Sequence, residues 1–272
     1  MTEPRGSAIG TVGAIWRYPV KSMVGEALET AEVGRDGVAG DRSFALFDPE
    51  TGKIVSAKNP RRWSGLFQCR STLVAAADGT AARARITLPD GQVVETNQDD
   101  IEARLSTVFG RPVKLATSAL SGATAEGYWP EHEWLPEPGS EFVYELPSGT
   151  FFDGARLHLL TSASLARLRA LAPGSDFAPA RFRANFLIQL PDEAEGFVED
   201  GWLGRTLTLG DVELRIERPT PRCVMTTLAQ PDLPKDPAIL RTAVQANQSN
   251  VGVYASVLKP GTVRRGDPVN LL

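Results

Sequence analysis

The 272-residue chain is predicted to be an α+β protein rich in β-structure, with a few short helices. Three observations carry this. Glycine (25) and proline (20) are frequent enough to favour many turns over long helices. Short runs alternate apolar and polar residues between turn-forming clusters. Helical spacing of apolar residues occurs in three short segments only.

In chain order, TVGAIWRYPVKS and EALETAEV read as strands. DRSFALFDPETGKIVS reads as a hairpin turning at Asp48 to Gly52, and ARITLPDGQVVET as a second with Pro89-Asp90-Gly91 at its tip. A helix is predicted in DDIEARLSTVFG, where Ile101, Leu105, Val108 and Phe109 share a face and Gly110 is the stop. From Thr117 to Thr150 periodicity fades and Ser, Gly, Pro and Glu accumulate. That stretch reads as a connecting segment or a functional loop, with Tyr128, Trp129 and Trp134 favouring a packed one and residues 121–140 placed to shape access to a site.

The second half opens with ARLHLLTSASLARLRALAPG, a strand running into a helix that starts at Thr161 to Ser164 and ends at Pro173-Gly174. Strands are predicted in RFRANFLIQL and, as a hairpin around Gly210-Asp211, in TLTLGDVELRIERPT. DPAILRTAVQAN reads as a helix capped by Asp236, with Pro237 at the first helical position. Two strands joined by a Pro-Gly turn are expected from Asn250 to Leu272.

Twenty-nine basic and 33 acidic residues give a formal charge of −4, so global electrostatics offers no reason to expect nucleic acid or an anionic membrane as a partner. The first ten residues lack a signal-peptide pattern, and no apolar run approaches membrane-spanning length. Cys69 and Cys223, the only cysteines, are far apart and form no CxxC pair, which excludes a disulfide framework and an iron-sulfur motif. A reducing cytoplasm is the simplest expected location.

His132 and His158 have no second ligand at metal spacing, and His158 reads as a strand residue among apolar neighbours. No GxSxG elbow, GxGxxG loop or phosphate-loop motif occurs. In ERPTPRCVMTTLAQPD, Pro219 and Pro221 are expected to end the strand before Cys223 and present it on a loop, with Arg222 favouring the thiolate that binds soft metals. For a lone cysteine a buried structural role is the ordinary outcome, and spacing alone does not displace it. Lys21, Ser22, Arg42, Arg181, Arg183 and Asn185 each suit a solvated face, and Thr161 and Ser162 suit a helix cap. If these groups converge, they make an anion site.

Six motifs in order, IWRYPVKSM, GDRSFALFD, LLTSASL, RFRANFLI, PRCVMTT and NVGVY, make the chain similar over nearly its whole length to the MOSC-domain proteins, among them the amidoxime-reducing components. The resemblance implies an N-terminal β-barrel-like region over 8–116, a connecting segment over 117–150 and a MOSC β-barrel domain over 151–272. It implies a molybdenum cofactor (Mo-molybdopterin) with Cys223 as thiolate ligand and catalytic residue. Cofactor contacts carried over by the motifs are Lys21, Ser22, Arg42, Thr161, Ser162, Arg183, Asn185, Arg222 and Tyr254. Pyridoxal phosphate binding goes with the resemblance as a second cofactor expectation.

The implied activity is reduction of a small N-hydroxylated or N-oxide compound, with electrons from a separate ferredoxin-like or flavin protein, since no electron-carrier motif is present. A cofactor carrier or sulfur-transfer protein using the same cysteine is the alternative, and a cofactor-free binding module a third. Relatives often read RCxxTTxDP, whereas Ala229 and Gln230 stand here where an acidic residue is expected. The chain is also expected to lack the appended ferredoxin module or membrane anchor that some relatives carry.

Overall fold

The computed structural model describes residues 6–74, 82–117, 121–135 and 137–272. Its centre is a closed barrel of seven strands. In order around the barrel these are Phe186–Gln189, Leu157–Thr161, Asn250–Lys259, Val212–Pro221, Thr206–Leu209, Pro268–Leu271 and Ser7–Arg17, which pairs back onto Phe186–Gln189. The predicted hairpin around Gly210-Asp211 is one of its seams. Alternation builds the interior: Val212, Leu214 and Ile216 point inward and Arg215 and Glu217 outward along one strand. With Val12, Ile15, Leu159, Phe186, Leu207, Val253 and Val269 they form one core. Burying each such side chain is worth about 1.5–3 kcal/mol.

The first strand of the 8–116 region, Ser7–Arg17, is thus also a stave of the barrel that the second half builds. Gly10 permits it: a Cβ there would lie 2.2 Å from the Gln189 carbonyl oxygen. Most other first-half strands join three smaller sheets: Ala31, Val33 and Val38 of one pack on the barrel core, while Leu46 and Ile86 of the other two join Val20, Met23, Trp63 and Leu105 in a second core. Met225, from the second half, is part of that core, and half-buried Cys223 packs beside it. The thiol therefore sits on the seam between the two cores.

The helices fall where predicted: α1 over Ile101–Phe109, α2 over Ser162–Leu171 and α3 over Ala238–Asn247. Gly110 ends α1 with φ 66°, and Asp236 Oδ1 accepts the Ala238 amide 2.9 Å away at the start of α3. Ile239 and Ala243 of α3 pack with Leu165 and Leu168 of α2.

Two expectations change. The connecting segment contains paired strands, Thr124–Tyr128 and Glu141–Glu145, which extend the first-half sheet beside Lys53–Ile54; residues 118–120 and 136 of that segment lie outside the described residues. The strand before Cys223 ends at Pro221 as expected, its pairing with Asn250–Lys259 running on past Pro219 with a bulge between Pro219 and Pro221 that suits the missing proline amides. The C-terminal stretch makes three strands, the middle one, Gly261–Arg264, leaving the barrel to pair with Thr30–Gly34.

Candidate functional site

Cys223 follows the end of the Val212–Pro221 strand and leads into a 3-10 turn over Val224–Thr227. It faces a cavity of about 310 Å³ at the seam. Lys21, Ser22, Arg42, Arg183, Asn185, Arg222 and Tyr254 line the same cavity, so eight of the ten predicted site residues converge although they come from five separate stretches of chain. Lys58, Asp153, His158 and Arg218 share the wall. Among the described residues, Lys21, Arg42, Lys58, Arg183, Arg218 and Arg222 thus set six cations against the single carboxylate of Asp153, a surplus suited to a multiply charged anion.

Local backbone geometry aims several of these groups. Ser22, Arg42 and Arg183 have φ of 65°, 49° and 55°, left-handed values that cost non-glycine residues about 1 kcal/mol or more each. Each position lies at the end of a strand or turn, where the reversal directs the side chain into the seam rather than along a sheet face. Ser22 Oγ then accepts the Ala57 amide at 3.0 Å, and Arg183 Nη1 donates to the Met23 carbonyl at 2.7 Å. The Tyr18 ring lies between the Arg42 and Arg183 guanidiniums, 4.8 and 4.3 Å from their central carbons. Burial pushes the Tyr18 hydroxyl up to about 12, so it stays protonated.

Charge pairing is uneven. Asp41 binds Arg42, accepts the Tyr18 amide at 2.7 Å and accepts Asn185 Nδ2 at 3.1 Å, which ties both halves together. Asp153 binds Lys21, Lys58 at 3.2 Å and the Tyr144 hydroxyl at 3.0 Å. Burial pushes Asp153 upward, but the two ammoniums outweigh it and hold the carboxyl far below its usual range. Lys21 is drawn down to about 8, chiefly by burial, with Asp153 opposing. Burial also tends to lower Lys58, yet Asp153, then Tyr144 and Cys223, raise it above its ordinary value. Arg183 falls to about 10 through burial and the nearby Arg42.

Arg222 donates from Nη2 to the Phe182 carbonyl at 2.7 Å, while its buried Nε has no partner. His158 is held far below its ordinary value by burial and by Arg222, so its ring is neutral near pH 7 and stands 3.2 Å from the Val251 carbonyl. Gly252, with φ 84°, makes that approach possible, because a Cβ there would lie 2.4 Å from His158 Nε2.

A pH dependence follows from Lys21. Below pH 8 it is charged, and an anion binds without proton uptake; above pH 8 binding must recharge it. Affinity for inorganic phosphate is expected to fall above that value by up to about tenfold per pH unit. Calorimetry in buffers of different ionisation enthalpy should show proton uptake on binding rising toward one.

Thr161 and Ser162 do not reach the cavity, which corrects their expected role as cofactor contacts. Along Leu157–Thr161, side chains alternate, and the face carrying His158 is the one turned to the cavity. Fully buried Thr161 caps α2 by accepting the Ser164 amide at 3.1 Å, and its hydroxyl donates to Glu199 Oε2 at 2.6 Å. Ser162 Oγ accepts the Leu190 amide at 3.0 Å. Thr161→Val is expected to cost about 2 kcal/mol in denaturant melts while phosphate affinity stays as in the unsubstituted protein.

Lys58, Asp153 and Arg218 carry no motif, and only their convergence marks them. Arg181, singled out with Arg183, is fully buried elsewhere, donating to the carbonyls of Asp176 at 2.8 Å and Pro234 at 2.9 Å. Cys69 is fully buried in the first-half core, where burial lifts its thiol to about 12. Among the described residues no three His, Cys, Asp or Glu side chains cluster, so a metal at Cys223 would depend on donors that a bound cofactor brings.

The chain is thus a β-barrel protein whose seam cavity sets one half-buried thiol among six cationic side chains. The MOSC domain family matches residues 148–270, and the MOSC N-terminal beta barrel domain family matches residues 9–112. The chain belongs to the MOSC family. It is 27% identical to the rat mitochondrial amidoxime reducing component 2, over 96% of this chain and 83% of the relative. It is likewise 27% identical to the human mitochondrial amidoxime-reducing component 1, over 97% and 83%. Among solved structures, the YUAD protein from Bacillus subtilis aligns with 96% of this chain and 94% of its own at TM-score 0.48 and 12% identity. The YiiM protein from Geobacillus stearothermophilus aligns with 43% of this chain and 54% of its own, at TM-score 0.31 and 23% identity. Among the described residues no helix is long and apolar enough to cross a membrane. The mitochondrial setting in the relatives' names lends no support to the expected cytoplasmic one.

Proposed function

We propose that this protein is a molybdenum-cofactor-dependent reductase of small N-hydroxylated or N-oxide compounds, supplied with electrons by a separate ferredoxin-like or flavin protein. The observation that carries the reading is the Cys223 thiol, half-buried in a wall that also bears six cations. The donor set suits the group: a single protein sulfur for a soft metal, and Lys21, Arg42, Arg183 and Arg222 for the pterin and its phosphate. The buried Arg222 Nε, without a partner in the protein, is a donor such a ligand would satisfy. Pyridoxal phosphate fits less well, because both cavity lysines are engaged by Asp153 and neither is free to form an imine.

When bound, the molybdenum cofactor supplies two-electron removal of oxygen, so that R–NHOH with two electrons and two protons becomes R–NH2 and water. The chain's own residues hold and shield that chemistry. Cys223 would hold the metal and the cations would neutralise the anion, while the Asn185–Asp41 hydrogen bond ties the two halves of the chain together beside them. Phe182, Met225 and Tyr254 keep the wall partly apolar.

The decisive experiment is elemental and pterin analysis of protein produced with molybdate, followed by turnover with a reduced artificial donor. About one molybdenum per chain and reduction of an N-hydroxylated substrate are expected. Bound cofactor without turnover would favour the carrier alternative, and protein free of both metal and pterin would overturn the reading.

A further inference from the structure

A second cavity, of about 370 Å³, adjoins the first through two shared residues, Trp129 and Arg222. Its remaining wall is Glu133, Trp134, Leu135, Val244, Gln248 and Ser249. Two indoles and two aliphatic side chains form a slot with flat sides. Both indoles are held in place: Trp134 stacks on His132 at 4.9 Å, with the rings 11° apart, and Trp129 packs against Phe142 at 5.5 Å. Preorganised aromatic walls bind planar groups at little cost in side-chain entropy.

The slot is also polarised. At its inner end stands the Arg222 guanidinium, common to both cavities. At its outer end stands exposed Glu133, on a run, Glu131 to Glu137, holding three glutamates. Glu131 is engaged by Arg61, whereas among the described residues no ion pair engages Glu133. A ligand lying along the slot thus meets a guanidinium at one end and an unpaired carboxylate at the other.

We infer that this slot is the substrate vestibule of the reductase, selecting flat aromatic compounds whose N–O group enters past Arg222 and whose far end carries a positive charge paired with Glu133. The inference rests on the reductase reading for the identity of the reacting end, but binding in the slot can be measured without turnover. Trp129 and Trp134 are positioned to contact the ring, and Glu133 discriminates between tails by charge.

Two shape-matched, non-reducible probes separate the outcomes: 4-(aminomethyl)biphenyl, a cation, and biphenyl-4-carboxylate, an anion. Calorimetric titration is expected to show the cation binding about tenfold more tightly than the anion, with Glu133→Lys, an exposed change, reversing that order. Trp134→Ala should weaken both probes by about tenfold. In turnover, Glu133→Gln should raise KM for an aminomethyl-substituted aryl N-hydroxy substrate by about tenfold with kcat within about twofold. Equal binding of the two probes, or an order unmoved by Glu133→Lys, would overturn the vestibule even if the enzyme reduces other substrates. The expected probe binding, in molybdenum-loaded protein that reduces nothing, would sustain the vestibule and overturn the reductase reading instead.

Discussion

Replacing Cys223 with alanine is expected to lower reductase turnover by more than about a hundredfold, since disturbing even the outer partners of a metal ligand typically costs 10- to 100-fold. Molybdenum content should fall in parallel, measured by elemental analysis on the same preparation. Cys69→Ala is the matched control. Its thiol is sealed in an apolar core, so the expected effect is a loss of about 1–2 kcal/mol in stability with turnover retained. Full molybdenum occupancy and turnover in Cys223→Ala, with an unchanged melting curve, would remove the cysteine from the site chemistry.

Asp153→Asn carries the second large effect, and it acts in opposite directions on folding and on binding. The asparagine keeps the shape but leaves the ammoniums of Lys21 and Lys58 close together without their shared carboxylate, one of them 4% exposed. Breaking a buried pair in this way is expected to destabilise the ligand-free protein by about 3 kcal/mol, a fall of roughly 6–10 °C in Tm. In the unsubstituted protein the same contribution is fully present above the ordinary carboxylate value of 3.8 and is lost as pH falls below it, because the folded state holds Asp153 ionised to lower pH than the unfolded chain does. Removing the lone carboxylate should also tighten anion binding. Phosphate is therefore expected to raise the Tm of Asp153→Asn more than that of the unsubstituted protein, as thermal melts across a phosphate series would show.

The three helices and most strands were legible because local signals decide them: Gly110 as a stop, Thr161 and Asp236 as caps, and period-two alternation along the barrel strands. The barrel's closure was not. Nothing in SAIGTVGAIWR says that its two partners around the barrel stand more than 170 residues away; only the pairing of Thr11 with Gln189 and of Ser7 with Leu271 does. The site divides in the same way. Motif residues such as Lys21, Arg42 and Cys223 could be carried over by resemblance, whereas Lys58 and Asp153 are ordinary polar residues until folding brings them together. Thr161 and Ser162 belong to a motif yet serve the scaffold, since a motif records a shared fold as readily as a shared ligand. Ala229 and Gln230, the departure after the cysteine, lie beyond the wall that carries Cys223, with Gln230 buried under a small turn closed by its own bridge to Leu233.

The pairing of Ser7–Arg17 with Pro268–Leu271 also governs the order of events during synthesis. A barrel whose first stave is made at the start of translation, and whose neighbouring stave includes residue 271, cannot shut until nearly the whole described chain has left the ribosome. Until then Val12 and Ile15 can pair with Ile188 and Phe186 but lack the Val269 side of their core. Closure of the barrel that carries the seam cavity thus waits on residues made after every one of the cavity's own lining residues.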